Sequence, residues 1–263
     1  MNENLPGQRR QRILERVRAT GAVKVAELAA ELGVSDMTVR RDLNLLVKAG
    51  ELHKVHGGAL LQEGASAEEP GFARKSALQL GEKAAIAQAA ARLVEPGMSV
   101  ALSSGTTTYA LARELRTIPE LTVVTNSPRI ADLLHDAPAS GQTVLLTGGL
   151  RTVSDALVGP LATAALKTLY VDRSFLGIHG FSGTDGLTTP NMLEVEVNQL
   201  LLERSDSAVV LADSTKWNLR GLYSIAPLDA VDILISDAGL PEEAVSTLAE
   251  HIKDLRLEQV ISE

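Results

Sequence analysis

Two sets of side chains in this sequence are spaced to do chemistry, and both suit anions. The first lies in VKVAELAAELGVSDMTVRRD, residues 23–42, and just beyond it. Arg40 and Arg41 are adjacent, and Asn44 and Lys48 follow at helical spacing. A guanidinium offers a planar fork of donors that fits a guanine edge or a phosphate, and a carboxamide fits adenine. Ser35 and Thr38 stand just ahead, where hydroxyls at a helix start can bind phosphates. The second set is scattered: Ser103, Ser104, Gly105, Thr106 and Thr107, then Asn126, Gly149, Gly180, Asp213 and Lys216. Hydroxyls, glycines, one amide and one lysine fit a small, polar, anionic ligand.

Other chemistries have little support. The chain has no cysteine, which excludes disulfides, thiol nucleophiles and cysteine-built zinc sites. Its histidines, His53, His56, His135, His179 and His251, have no companion ligands at metal-site spacing, so no metal is expected. No Lys-Ser/Thr follows the glycine of SSGTTT at Walker-loop spacing, and no GxGxxG follows a strand pattern. No cofactor is expected.

The elements that must position the first set are short helices. Residues 8–18 read as a helix with Ile13, Leu14 and Val17 inward and the arginines outward, stopped by Gly21. Val25, Leu28, Ala29 and Leu32 form one apolar face of a second helix. A tight turn at Gly33-Val34 leads to Ser35, placed as an N-cap, and to a third helix running to about Lys48. Two helices joined through so short a turn cross steeply, which is the helix-turn-helix arrangement. With Val39 at the centre of the buried side, ~100° per residue puts Met37, Arg41, Asn44 and Lys48 on the opposite side. Thr38 and Arg40 fall on the flanks. Residues 51–61, ELHKVHGGALL, then read as a hairpin with Gly57-Gly58 at its tip. A hairpin directly after such a helix is a wing, from which Lys54 and His56 can touch a nucleic-acid backbone or minor groove.

A stretch of small, acidic and turn residues at 61–71 reads as a linker between domains at 1–60 and 72–263. Beyond it the rhythm changes. A long Ala-rich helix is predicted at 76–94, then strands near 98–102, 121–125, 143–147, 173–178, 208–212 and 232–235. Helices are predicted between most of them, near 107–116, 128–135, 155–168, 191–205 and 241–252. That alternation predicts a mostly parallel α/β sheet. The fold class is therefore α/β, with a small winged helix-turn-helix domain ahead of the sheet domain. The second set of residues falls at the carboxyl ends of the predicted strands, where such sheets bind ligands. SSGTTT also precedes a helix, so its amides and hydroxyls form a natural phosphate seat.

Charge divides in the same way. The net charge is −8, but residues 1–62 carry +3 and the remainder −11. Only the first segment is suited to a polyanion. No apolar run is long enough to span a membrane and the N-terminus has no signal-peptide core, so a cytoplasmic location and no membrane partner are expected.

The segment VSDMTVRRDLNLLVKAGELHKVHGGA closely resembles the DNA-binding segment of DeoR/GlpR-family regulators. The match rests on Val34-Ser35, Thr38, Arg40-Arg41, Asp42-Leu43 and His56-Gly57-Gly58-Ala59. The blocks FARKSALQLGEKAAIAQAAARLV, SSGTTTYALAREL, VVTNSPRIADLL, LTGGLR, LVGPLA, FLGIHGFS, LADSTKW and ILISDAGLP resemble successive parts of the same family's sensor domain. The resemblance implies a fold similar to ribose-5-phosphate isomerase and coenzyme A transferases. It also implies a repressor of sugar or carbon metabolism genes, with a double-stranded DNA operator as partner and a phosphorylated sugar or related metabolite as effector. Ser104, Gly105, Thr106 and Thr107 would form the phosphate loop, and Asn126, Gly149, Gly180, Asp213 and Lys216 would line the rest. Many relatives carry an acidic residue where this chain has Ser103, so an atypical ligand or a sensor that binds nothing stays open.

An isomerase-like enzyme carrying a DNA-binding module is the alternative of another class. It needs a general base, for which Asp213 and Glu194 are the attractive carboxylates. No catalytic residue and no enzyme activity are expected. A helix-turn-helix protein reads paired half-sites, so a homo-oligomer, dimer or tetramer, is expected, with 61–71 as the hinge.

Overall fold

The computed structural model describes residues 6–20, 22–48, 52–55, 58–61, 71–136 and 141–260. The chain divides into two compact units, Met1–Gly64 and Ala65–Glu263. The expected linker falls almost wholly outside the described residues. Among the described residues, no helix is long and apolar enough to cross a membrane.

The first unit holds α1 (Pro6–Thr20), β1 (Ala22–Lys24), α2 (Val25–Leu32), α3 (Asp36–Lys48), β2 (Leu52–Val55) and β3 (Gly58–Leu61). The three strands form an antiparallel sheet in the order β1-β3-β2. Gly33 ends α2 in the left-handed region at φ 63°, which glycine adopts without a Cβ penalty. Ile13, Val17, Leu28, Val39, Leu43 and Leu52 build the core. One expectation fails: Arg9 does not face outward. It is 8% exposed, and its Nε donates to the buried carboxylate of Asp42 at 2.5 Å. A carboxylate on the inner face of α3 needs a cation, and Arg9 on α1 supplies it.

The second unit is built on a seven-stranded sheet. Its elements begin with α4 (Phe72–Ser76), α5 (Leu80–Ala91), β4 (Ser99–Leu102), α6 (Thr106–Leu115), β5 (Thr122–Thr125), α7 (Pro128–His135) and β6 (Thr143–Leu146). A short hairpin, β7 (Leu150–Arg151) and β8 (Leu157–Val158), leads to α8 (Pro160–Lys167) and β9 (Val171–Gly177). Then come β10 (Gly180–Ser182), β11 (Gly186–Thr189), α9 (Met192–Glu203), β12 (Ser205–Leu211), a 3-10 turn at Ser214–Lys216 and β13 (Tyr223–Ala226). The chain closes with β14 (Ile233–Asp237), α10 (Glu242–His251) and β15 (Asp254–Glu258). The main sheet runs β15-β14-β12-β9-β4-β5-β6, parallel throughout. β10, β11 and β13 form a separate antiparallel sheet.

Side chains alternate across the main sheet as the strand period requires. Val100, Leu102, Phe175, Val209, Leu211 and Ile235 join a core with Ile86, Leu111 and Ile130 of α5, α6 and α7. Ala101, Leu176, Val210 and Leu234 face the other way, against Ala162, Val197 and Leu248 of α8, α9 and α10. Strand order reverses between β4 and β9. After β4 the chain proceeds to β5 and β6 on one side, and after β9 to β12, β14 and β15 on the other. Right-handed crossovers then put the two groups of helices on opposite faces and open a crevice at the carboxyl ends of β4 and β9.

The helix predicted at 76–94 breaks in two. Gln79 takes φ 51°, and the buried ammonium of Lys83 donates to the carbonyls of Lys75 and Leu78 at 2.5 Å each. The helix predicted at 155–168 starts only at Pro160. Gly159 at φ 87° cannot sit in a helix, and 157–158 pair as β8. The sheet of β10, β11 and β13 and the edge strand β15 were not expected. β10, β11 and β13 are short and lack a clear period, whereas β15 alternates leucine with charged residues in DLRLE and was missed in spite of that pattern.

Candidate functional site: a DNA-reading helix and a strand-end cleft

In the first unit α3 carries the candidate reading residues. Ser35 caps it as expected, its hydroxyl accepting from the Thr38 amide at 3.3 Å and meeting the Thr38 hydroxyl at 3.0 Å. Met37 is 75% exposed, and Arg40, Arg41 and Asn44 are exposed beside it, with Thr38 half-buried. Val39, Leu43 and Leu46 point inward. Because Asp42 is turned in and held by Arg9, the outward face keeps the charge of Arg40 and Arg41. β2 and β3 pair with Val55 opposite Gly58, as a wing requires. The side chains of Lys48 and Lys54 and the whole of His56 and Gly57 lie outside the described residues.

In the second unit the strand ends bring the scattered set together. β4 runs into Ser103, Ser104 and Gly105, and Gly105 is the N-cap of α6 with no side chain to bond the helix amides. The first amides of a helix have no intrahelical partner, so those at Gly105, Thr106 and Thr107 are directed outward. Ser104, Gly105 and Thr106 are partly exposed, and Thr107 is buried. Ser103 serves the fold: it is 1% exposed, and its hydroxyl accepts from the Gly177 amide at 2.9 Å, tying the loop after β4 to the end of β9.

Asn126, at the end of β5, is also wholly engaged. Its Oδ1 accepts from the Ser104 amide at 2.8 Å and its Nδ2 donates to the Leu157 carbonyl at 3.1 Å. It therefore positions the α6 loop against the β7–β8 hairpin. Gly149 opens that hairpin at φ 124°, and a Cβ there would stand 2.4 Å from the Val158 carbonyl oxygen. A Cβ at Gly180 would stand 1.7 Å from the Leu219 carbonyl oxygen. Both positions are closed to side chains by backbone.

Asp213, at the end of β12, is 1% exposed and caps the 3-10 turn by accepting from the Thr215 amide at 3.2 Å and from the Thr215 hydroxyl. The turn presents Lys216. Burial pushes the Lys216 ammonium below its usual range, with Lys75 adding to the effect and Asp213 opposing it. No described side chain accepts a hydrogen bond from its ammonium.

Three further residues lie near these strand ends, of which the sequence offered Glu194 only as a candidate base, His179 only by its place after a strand, and Lys83 not at all. Lys83 is 6% exposed, and burial lowers it to about 8, with Asp213 opposing and Lys216 assisting. Its signal was legible: it shares the apolar stripe of α5 with Ile86, Ala87 and Ala90, where a lysine has no business unless it is bonded. His179, between β9 and β10, is 9% exposed and is driven down to about 3 by burial, then by Lys216 and Lys75. Glu194 accepts from the hydroxyls of Ser154, Thr152 and Thr189, which brings it beside Ser104, whose hydroxyl donates to the Ser154 carbonyl. The strand ends thus carry outward helix amides, hydroxyls and lysine charge, groups whose chemistry suits an anion. Among the described residues no group of three His, Asp or Glu side chains is placed to hold a metal ion.

Comparison with known proteins agrees with both halves. Residues 9–64 match the DeoR-like helix-turn-helix domain, and residues 78–238 match the DeoR C terminal sensor domain. The chain is 39% identical to the HTH-type transcriptional regulator YgbI of Escherichia coli strain K12, over 96% of this chain and 97% of that one. It is 35% identical to a putative aga operon transcriptional repressor of Escherichia coli O157:H7, over 92% and 90%. Among solved structures, ribose 5-phosphate isomerase A of Methanocaldococcus jannaschii matches at TM-score 0.36 and 19% identity, covering 51% of this chain and 53% of that one, too loosely to bear on function. With both its helix-turn-helix and its sensor domain matched, and with relatives aligned nearly end to end, the chain belongs to the DeoR family of helix-turn-helix transcriptional regulators.

Proposed function

We propose that this regulator is a repressor of sugar or carbon metabolism genes, and that a phosphorylated sugar or related metabolite bound in the strand-end cleft releases it from its operator. The observation that supports the effector reading is the strand-order reversal between β4 and β9, where the loop of 105–107 ends β4 with unpaired helix amides, together with the buried lysine Lys216 in the turn after β12. A helix N-terminus and a cation together favour a phosphate. Ser104, Gly105, Thr106, Thr107 and Lys216 are the proposed contacts. Ser103, Asn126, Gly149, Gly180 and Asp213 act by holding the loops. The name of the aga operon repressor supports a role in repression.

For DNA, α3 enters the major groove with Arg40, Arg41 and Asn44 toward the bases or phosphates, Met37 on the same exposed face, and Ser35 and Thr38 at the backbone. Lys48, Lys54 and His56 are proposed further contacts. A pair of such helices reads two half-sites, so the working form is a homo-oligomer. The ligand acts by binding the DNA-competent and DNA-incompetent arrangements with different affinity. An enzyme reading has less support, because Asp213 and Glu194 already accept hydrogen bonds from neighbouring hydroxyls and are not presented as bases.

Fluorescence anisotropy of the full-length protein on its own upstream DNA, with and without a panel of phosphorylated sugars, tests the proposal. Sequence-specific binding that one compound abolishes is the expected result. Absence of any sequence preference overturns the DNA reading, and specific binding that no compound moves overturns the effector reading.

A further inference from the structure

His179 is a buried group whose bonding is incomplete. Neither Nδ1 nor Nε2 has a hydrogen-bond partner, although the residue is only 9% exposed. Such a state is costly, since a buried polar atom left unmade loses its hydration without replacement. The loop gives the ring little freedom to escape. Two residues before it, the Gly177 amide is held by the Ser103 hydroxyl. Immediately after it, Gly180 lies so close to the Leu219 carbonyl that no Cβ fits between them. The backbone on both sides of His179 is therefore held, just past the carboxyl end of β9, beside the strand-order reversal.

We propose that His179 is a specificity-determining contact that selects a hydroxylated oxyanion. This rests on the effector reading above and deepens it. Burial, with the positive charges of Lys216 and Lys75 adding to it, keeps the imidazole neutral near pH 7. A neutral imidazole has one donor nitrogen and one acceptor nitrogen. A bare anion oxygen satisfies the donor alone. The acceptor needs an O–H, which a sugar hydroxyl next to the charged group supplies. Lys216 takes the negative charge, and His179 reads the hydroxyl. An apolar anion, or one with no hydroxyl in reach, leaves one nitrogen of the ring unpaired and binds less well.

The test uses the full-length protein with ribose 5-phosphate, glucose 6-phosphate, fructose 6-phosphate, glycerol 3-phosphate and sulfate, an anion with no O–H at neutral pH, read by thermal shift across a concentration series. The variants are His179→Phe, which keeps the ring and removes both nitrogens, and His179→Asn, which restores one donor and one acceptor. His179→Leu is carried in parallel in case Phe does not fit. Without ligand, the Phe or Leu variant is expected to melt at or above the parent, because unmade polar atoms leave the core. Affinity for the bound sugar phosphate is expected to fall by about tenfold in that variant, the equivalent of one hydrogen bond, and to recover in part in His179→Asn. Affinity for sulfate changes less.

If a sugar phosphate binds the Phe or Leu variant as well as the parent, the proposal is wrong while the effector reading stands. Equal losses for sulfate and sugar phosphate make His179 a plain anion contact and remove its selectivity. A lower melting temperature in both apolar variants means that the nitrogens are satisfied without ligand, which also overturns it. If no compound stabilises the parent, the effector reading falls and this inference falls with it.

Discussion

The two units place their candidate anion-binding groups in opposite ways. In the first, the groups proposed to meet DNA sit within a few turns of one helix, exposed, and placed there by local rules alone. Ser35 caps, Val39 and Leu43 face inward, and Arg40 and Arg41 are left outside. In the second, the groups come from loops more than a hundred residues apart in sequence, and several are buried. Asn126, Ser103 and Asp213 spend their polar atoms on backbone or on neighbouring hydroxyls, so the cleft is shaped by residues that need not touch a ligand. A long polyanion is met by a surface, whereas a small ligand must be enclosed. Enclosure requires that the walls satisfy themselves first.

Substitutions that damage one unit should leave the other's function intact. The largest effect is expected at the Arg9–Asp42 pair. Arg9→Met removes the cation facing a carboxylate whose side chain is 4% exposed, and should cost about 3–5 kcal/mol. A unit this small has little stability to spare, so operator binding should be lost while sugar-phosphate binding persists. Parent-like DNA affinity in this variant would dissolve the idea that the reading helix depends on that pair.

Gly180→Ala acts on the other side of the comparison. The added methyl would overlap the Leu219 carbonyl, so the backbone must shift, at a cost of about 3 kcal/mol. Calorimetry should show the second unit destabilised and the effector response lost, with the Arg40 and Arg41 face unaffected.

Arg41→Ala should leave melting unchanged, because the side chain is exposed. Operator affinity should fall by about 1–3 kcal/mol if Arg41 reads a base. A uniform loss on all sequences, with a shallower salt dependence, would make it a phosphate contact instead.

The smallest effect is the pH dependence from Lys83. Burial places its folded pKa at about 8, below the usual 10.5. Below about pH 8 the folded protein carries the full cost of the buried charge. Between there and 10.5 the unfolded chain holds a proton that the folded chain has released, so this group's contribution to stability rises with pH. The neutral amine can still donate to the carbonyls of Lys75 and Leu78. Urea midpoints of the parent relative to Lys83→Met should therefore improve as pH is raised through that window. A constant difference would show that Lys83 is solvated.

Much of the first unit was legible because its determinants are local. A cap, a glycine turn and an apolar stripe fix α2 and α3 from a few neighbouring residues. What escaped there was long-range: an arginine on α1 reads as solvated until Asp42, 33 residues away, is folded against it. In the second unit the strands were legible from their apolar runs, and SSGTTT from its place between a strand and a helix. Lys83 was missed within the Ala-rich helix although it breaks the apolar stripe. His179 was legible as a residue at a strand end, but nothing in GIHG distinguishes a buried histidine from an exposed one.

By itself the sequence determined the two-part architecture, the outward face of α3 that carries Arg40, Arg41 and Asn44, and the polar residues at the strand ends, because helix period, strand alternation and turn chemistry are set by near neighbours. The tertiary structure alone decided which of those polar groups face the cleft and which are consumed in holding it. Ser103 and Ser104 are adjacent in the chain, yet the first is turned into the fold toward Gly177 and the second borders the opening. That outcome depends on strand order. The reversal between β4 and β9 sets which loops meet, and no local pattern along the chain encodes the pairing of strands more than seventy residues apart.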